Sequence, residues 1–238
     1  MQILRAILII AVALGASRSF AANPPAETWL AYQRAQVTVA ADGTVQHASL
    51  LNSSLSATMQ EQVLTRIRAF EFEPATHNGV AGVTETTLSV KLAVEPEQDQ
   101  LVVRVVGAEV TVGFDRLKPP RFPMAQLRRA QGARVELRLS YDGNGRVTDV
   151  SVERVEPDLK AFRLAALKAA REWQFQPERV DGIGIAGSAL IPVTFSLTTS
   201  DDEGKLNFPD GGTLRVRRQL EQPERLLTST LRLRATEG

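Results

Sequence analysis

Two ten-residue stretches, FEFEPATHNG at 70–79 and WQFQPERVDG at 173–182, carry an aromatic residue, Phe, Pro and Gly at matching places. Laid over one another, they extend into a longer match in which Gly43, Val45, Phe72, Pro74, Gly79 and Val90 fall beside Gly145, Val147, Phe175, Pro177, Gly182 and Val193. The successive gaps are 2, 27, 2, 5 and 11 in the first run and 2, 28, 2, 5 and 11 in the second. Identity elsewhere is sparse, so the pattern reads as an old duplication whose retained positions are structural.

The second run shows its architecture clearly. Val135, Leu137, Leu139 and Tyr141 alternate with Glu136, Arg138 and Ser140, the period of a half-buried strand, and DGNG at 142–145 is a turn signal leading into Val147, Val150 and Val152. From Asp158, an expected N-cap, a helix places Phe162, Ala166, Ala170 and Trp173 on one stripe, with Leu159 and Ala169 beside it. Phe175 and Pro177 are expected to stop that helix, because proline has no N–H for the helical ladder. Val193, Phe195 and Leu197 then alternate with Thr194 and Ser196 as a closing strand, with the three apolar side chains expected towards the core.

The first run repeats this in weaker form. Val37 and Val39 precede the turn, Val45, Ala48 and Leu50 follow it, Met59, Val63, Ile67 and Phe70 make the helical stripe, and Leu88, Val90, Leu92 and Val94 close. The expected fold class is α+β: two tandem ββαβ modules, each a helix on an antiparallel three-stranded sheet. Such thin sheets need mutual support, or support from flanking strands. EPEQDQ at 95–100 reads as a polar linker, and 101–114 as one or two strands meeting at Gly107. In the tail, 213–218 and 230–234 alternate like the arms of a hairpin, with Arg215, Arg217, Arg232 and Arg234 outward. The bland reading of those arginines is edge protection against aggregation.

The first residues read as an export signal. Arg5 precedes an apolar stretch from Ala6 to Ala16, and Ser19, Phe20 and Ala21 suit signal peptidase, which places cleavage after Ala21. The chain has no cysteine, which excludes an acylated cysteine, a disulfide framework and thiol chemistry, and points to the periplasm. Lys plus Arg number 28 against 27 Asp plus Glu, too balanced a charge to recruit nucleic acid.

The ordered set PPRFPMAQLRRAQG at 119–132, VELRLSYDGNGRVTDVSV, AALKAAREWQFQP and GSALIPVTFSL resembles the TonB C-terminal domain family, the periplasmic end of Gram-negative energy transducers. The resemblance covers Pro119 to Leu197 well and 35–94 loosely. It divides the chain into a signal peptide (1–21), a first, degenerate repeat (22–94), a linker with strands (95–118), a second domain (119–199) and an extension (200–238). What the family implies is docking of an extended peptide of an outer-membrane receptor by strand addition, with Val193, Thr194, Phe195, Ser196 and Leu197 as the candidate edge. Phe70, Phe72, Pro74, Trp173, Phe175 and Pro177 are then core markers rather than ligand contacts. With cleavage after Ala21 and only Pro24 and Pro25 ahead of the first repeat, the chain is expected to lack the uncleaved membrane helix and long Pro-rich spacer usual in such transducers, which favours a periplasmic adaptor over a tethered transducer.

Other classes fare worse. His47 and His77 have no metal-ligand spacing around them, and no nucleophile elbow, P-loop or dinucleotide fingerprint is present. DGIGIAG at 181–187 reads as a turn into the closing strand, not a cofactor loop. The expectation is a non-enzymatic protein with no cofactor, metal or small-molecule substrate, whose partners are envelope proteins. A homodimer through a strand edge and a structural or peptidoglycan-binding role remain as alternatives.

Overall fold

In the computed structural model, which describes residues 28–97, 100–197, 203–207, 211–217 and 224–234, both runs of the chain follow one order of elements. The signal peptide read at 1–21 lies outside the described residues, and among those described no helix is long and apolar enough to cross a membrane. The class is mixed α and β, rich in strands, with antiparallel sheets.

The first run opens with β1 (Trp29–Val39), whose alternate residues Ala31, Ala35, Val37 and Val39 are buried. A turn at Gly43 returns it as β2 (Val45–Leu50). Ser56 caps α1 (Ala57–Arg68) by accepting the Met59 N–H, and Val63 and Ile67 face the core. Two short pieces follow: β3 (Phe72–Glu73), then β4 (Thr76–His77) paired with β5 (Val80–Ala81) around Asn78 and Gly79. The long β6 (Thr84–Glu97) pairs with the full length of β1. It pairs next with β7 (Gln100–Thr111), so residues 95–97 and Gln100 of the polar stretch expected as a linker are strand residues. Gly107 does not divide two strands either. Lys91 pairs with Gly107 and Leu92 with Val105, leaving Val106 bulged outwards and 52% exposed. The break comes after Thr111, before β8 (Gly113–Arg116).

The second run enters through α2 (Met124–Arg128) and then repeats hairpin, helix and closing strand: β9 (Ala133–Tyr141), β10 (Val147–Glu156) and α3 (Lys160–Ala170). β11 (Gln174–Gln176), β12 (Arg179–Val180), β13 (Ile183–Gly184) and β14 (Gly187–Phe195) complete it. Asp158 is not the helix cap. Leu159 holds that place without a side-chain bond, and the Asp158 carboxylate pairs with Arg163 instead. The helix ends at Ala170, so Pro177 does not stop it; Pro177 follows β11, as Pro74 follows β3, where a residue without an N–H ends a strand.

The doubled phrase now has a physical reason. The Phe72 N–H donates to the Gly43 carbonyl at 2.9 Å, and the Phe175 N–H to the Gly145 carbonyl at 2.8 Å. Gly43 and Gly145 have φ of 94° and 78°, and a Cβ on either would stand 1.9 Å from the Phe72 or Phe175 carbonyl oxygen. Each hairpin turn is thus bonded to its own post-helix strand at a distance only glycine permits.

Tail strands lock the halves together. β15 (Glu203–Asn207) and β16 (Thr213–Arg217) make the tail's hairpin, and β16 joins β1 at Leu30. The expected pairing of 213–218 with 230–234 does not occur, since β17 (Arg225–Leu226) adds to β14 and β18 (Arg232–Leu233) adds to β3. Arg215 and Arg217 therefore lie on a strand of one sheet and Arg232 on a strand of another. Eight strands share the first sheet, with β12 of the second run seated on β6, while β10, β9, β14 and β17 make the second.

Candidate functional site

β14 is an outer strand of the second three-strand core, and its composition suits that place. Ala189, Ile191, Val193 and Phe195 point inward and are buried, and β9 pairs with it from Gly187 to Phe195. Pro192 interrupts the donors of the strand, which sheets tolerate at edges. Phe195 anchors the far end by packing on Phe162 and Phe122, with centroids 4.8 and 5.7 Å away.

Of the five sequence-selected edge residues, Val193 and Phe195 lie inside the core and Thr194 is exposed. Ser196 and Leu197 fall past the end of β14, both exposed, so the expected inward Leu197 is corrected: the pleat that would bury it has ended. The core markers Phe70, Phe72, Trp173 and Phe175 are buried, as is Pro177, whereas Pro74 is half-buried.

The outer side of β14 receives a strand. Ala189 pairs with Leu226 and Leu190 with Arg225, antiparallel, and the Leu227 N–H donates to the Ser188 carbonyl at 2.8 Å. The Ser188 N–H then donates to Thr228 Oγ1 at 3.1 Å. At the first closing strand the same side is taken by β7, where Thr87 pairs with Thr111. With Val90 set beside Val193, Thr87 falls beside Leu190, so β17 stands on β14 where the end of β7 stands on β6.

Beyond these strands the chain crosses over in both halves. β8, which follows β7, pairs with β11 so that Phe114 opposes Phe175. β18, which follows β17, pairs with β3 so that Leu233 opposes Phe72. Each half thus completes the other's core: Leu214, Leu231 and Val180 are buried in the first, Val112 in the second.

Sequence reading passed over a buried carboxyl at this junction. Glu178, 7% exposed, accepts a 2.7 Å hydrogen bond from Ser229 Oγ, and burial pushes its carboxyl above the usual range while that bond opposes the shift. Thr86 stands close enough to act on the same charge, though its hydroxyl lies outside hydrogen-bond geometry. Burial and the Glu178 charge together raise the Tyr141 phenol. The only sequence signal was the small hydroxyl run TSTL at 228–231. Among the described residues no group of three or more His, Cys, Asp or Glu could hold a metal; His47 lies on β2 and His77 on β4.

Comparison with known proteins falls on the same half. Residues 118–197 match the family described as Gram-negative bacterial TonB protein C-terminal. Two curated relatives, each called Protein TonB and from two strains of Xanthomonas campestris pv. campestris, are 38% identical over 92 residues. That stretch is 39% of this chain and 41% of each relative, so this chain spans less than half their length. With the ββαβ order of the second run, these matches make residues 118–197 a TonB C-terminal domain.

Proposed function

We propose that this chain is a non-enzymatic, protein-binding component of the cell envelope, working in TonB-linked transport, and that β14 is its docking strand. The single observation behind this reading is that the outer side of β14 accepts an added strand, as β17 demonstrates within the molecule. A partner's extended segment would satisfy the same backbone groups, with pockets between alternate side chains setting preference. The partner class is an extended peptide of an outer-membrane receptor, and residues 29–97 are a divergent copy of the domain, sharing its strand order and its Gly-to-Phe bond. The test is a photo-crosslinking amino acid at Thr194 in Gram-negative cells. An adduct with an envelope protein is expected; adducts from exposed Leu164 on α3 but none from Thr194 would sink the reading.

The names of the relatives favour a second reading, a membrane-tethered energy transducer. Fractionation with N-terminal sequencing separates the two. A soluble periplasmic species starting at Ala22 supports the adaptor, and a membrane-bound species retaining Arg5 supports the transducer.

A further inference from the structure

The segment Glu224–Arg234 does more than end the chain. It touches the second half along β14, then the first half along β3, and every step between is tied. Glu224 forms a 2.8 Å ion pair with Arg34, and its carbonyl accepts from Thr111 Oγ1 at 2.6 Å. Leu226 packs against the second core. Thr228 Oγ1 accepts the Ser188 N–H, Ser229 Oγ donates to Glu178, and Thr230 Oγ1 accepts the Thr76 N–H at 3.1 Å. Leu231 is 2% exposed in the first core, and the Arg234 N–H donates to the Glu71 carbonyl at 2.8 Å.

The junctions between the halves differ because of this segment. On one side β12 pairs directly with β6, and the Asp181 carboxylate accepts the Val83 N–H at 2.9 Å. At the corresponding place on the other side, Ser188 of β14 and Thr76 of β4 are bridged by Thr228 and Thr230. Side-chain hydroxyls there take backbone donors that a strand ladder would otherwise take.

We infer that residues 225–228 are a built-in ligand of the β14 edge, and that a partner docks there by displacing them. This rests on the reading of β14 as the docking strand. The built-in ligand also specifies what fits: an extended segment, antiparallel to β14, with an aliphatic side chain opposite Ala189 and a hydroxyl residue two positions later to receive the Ser188 N–H. The tail's own sequence, Arg-Leu-Leu-Thr, is the template.

The absence of native cysteine permits a clean test. In the full chain, Ala189→Cys with Leu226→Cys joins two directly paired positions, and the probe is a fluorescent peptide of residues 224–230 read by anisotropy. Binding to the reduced protein at least about tenfold tighter than to the oxidised one is expected. A second variant, Glu224→Arg, sets like charges against Arg34 and is expected to tighten peptide binding without any staple. Equal binding to stapled and reduced protein would place the peptide elsewhere and overturn the inference. So would absence of binding to both the reduced protein and Glu224→Arg, while an adduct from Thr194 in cells would still leave the docking strand itself standing.

Discussion

The two halves share an element order but fill their cores with different chemistry. In the first, Val37, Val39, Val63, Ile67, Leu88, Val90 and Leu92 share a core cluster with Phe70 and Phe72, and the packing is mostly aliphatic. In the second, Phe114, Trp173, Phe175 and Tyr141 form one ring cluster, and Phe122, Phe162 and Phe195 another. Among the described residues every ring-to-ring contact belongs to that second half. Closing strands differ too. β7 covers β6 from Thr87 to Glu97, whereas the described partner of β14 on that side is the two-residue β17. On the proposed reading, β6, paired on both sides, is scaffold, and β14, held on one side by β17, is the strand that exchanges partners.

The largest expected effect breaks the comparison at its centre. Phe175→Ala and Phe72→Ala should each cost about 3–5 kcal/mol in denaturant unfolding, since both rings are fully buried. Phe→Leu distinguishes them. At Phe72 the aliphatic surroundings should accept it at under about 1.5 kcal/mol. At Phe175, where Tyr141 and Phe114 lie 4.9 and 5.0 Å from the ring, it should cost a further ~0.5–1.5 kcal/mol for each lost ring contact.

Next comes the junction carboxyl. Burial raises the folded-state pKa of Glu178 above its unfolded value, so its contribution to stability is most favourable below the usual carboxylate range and is lost as pH rises through the raised value. Glu178→Gln keeps a partner for Ser229 and removes the buried charge, which should stabilise the neutral-pH protein by on the order of 1 kcal/mol. The check is the urea midpoint from about pH 4 to 7, where the variant should lose most of the wild-type decline. An unchanged pH profile would mean that Glu178 ionises as it does in the unfolded chain.

The smallest effects separate two helix starts. Ser56→Ala removes a bond to the Met59 N–H and should cost about 1 kcal/mol. Asp158→Ala removes only an exposed pair with Arg163 and should cost under about 0.5 kcal/mol. Equal losses in thermal unfolding would restore Asp158 as a cap.

Local signals in the sequence were enough for the opening hairpin, the amphipathic helix and the closing strand of each run, but not for the tail hairpin or the pairing of β6 with β7. Alternation at Val135–Tyr141 and the stripe Phe162, Ala166, Ala170 depend on periods of two and 3.6 that any chain must obey to bury one face. The matched glycines and phenylalanines were legible because their bond spans nearly the same interval in each run, differing by one residue. Helix ends were less legible, since Asp158 and Pro177 are plausible punctuation whose side chains the fold uses otherwise.

What the sequence by itself determined is therefore the set of amphipathic pieces, their order, and the second half's identity as a TonB C-terminal domain. Tertiary structure alone decided which strand pairs with which across the halves: β8 to β11, β18 to β3, β12 to β6 and β17 to β14. The reason is physical. Periodicity records which face of a segment is buried, but backbone hydrogen bonds are the same for every residue, so a two-residue strand carries almost no address of its own. Partners for β17 and β18 are chosen by where Leu226, Leu231 and Leu233 find apolar surface, and that surface exists only once both cores have formed.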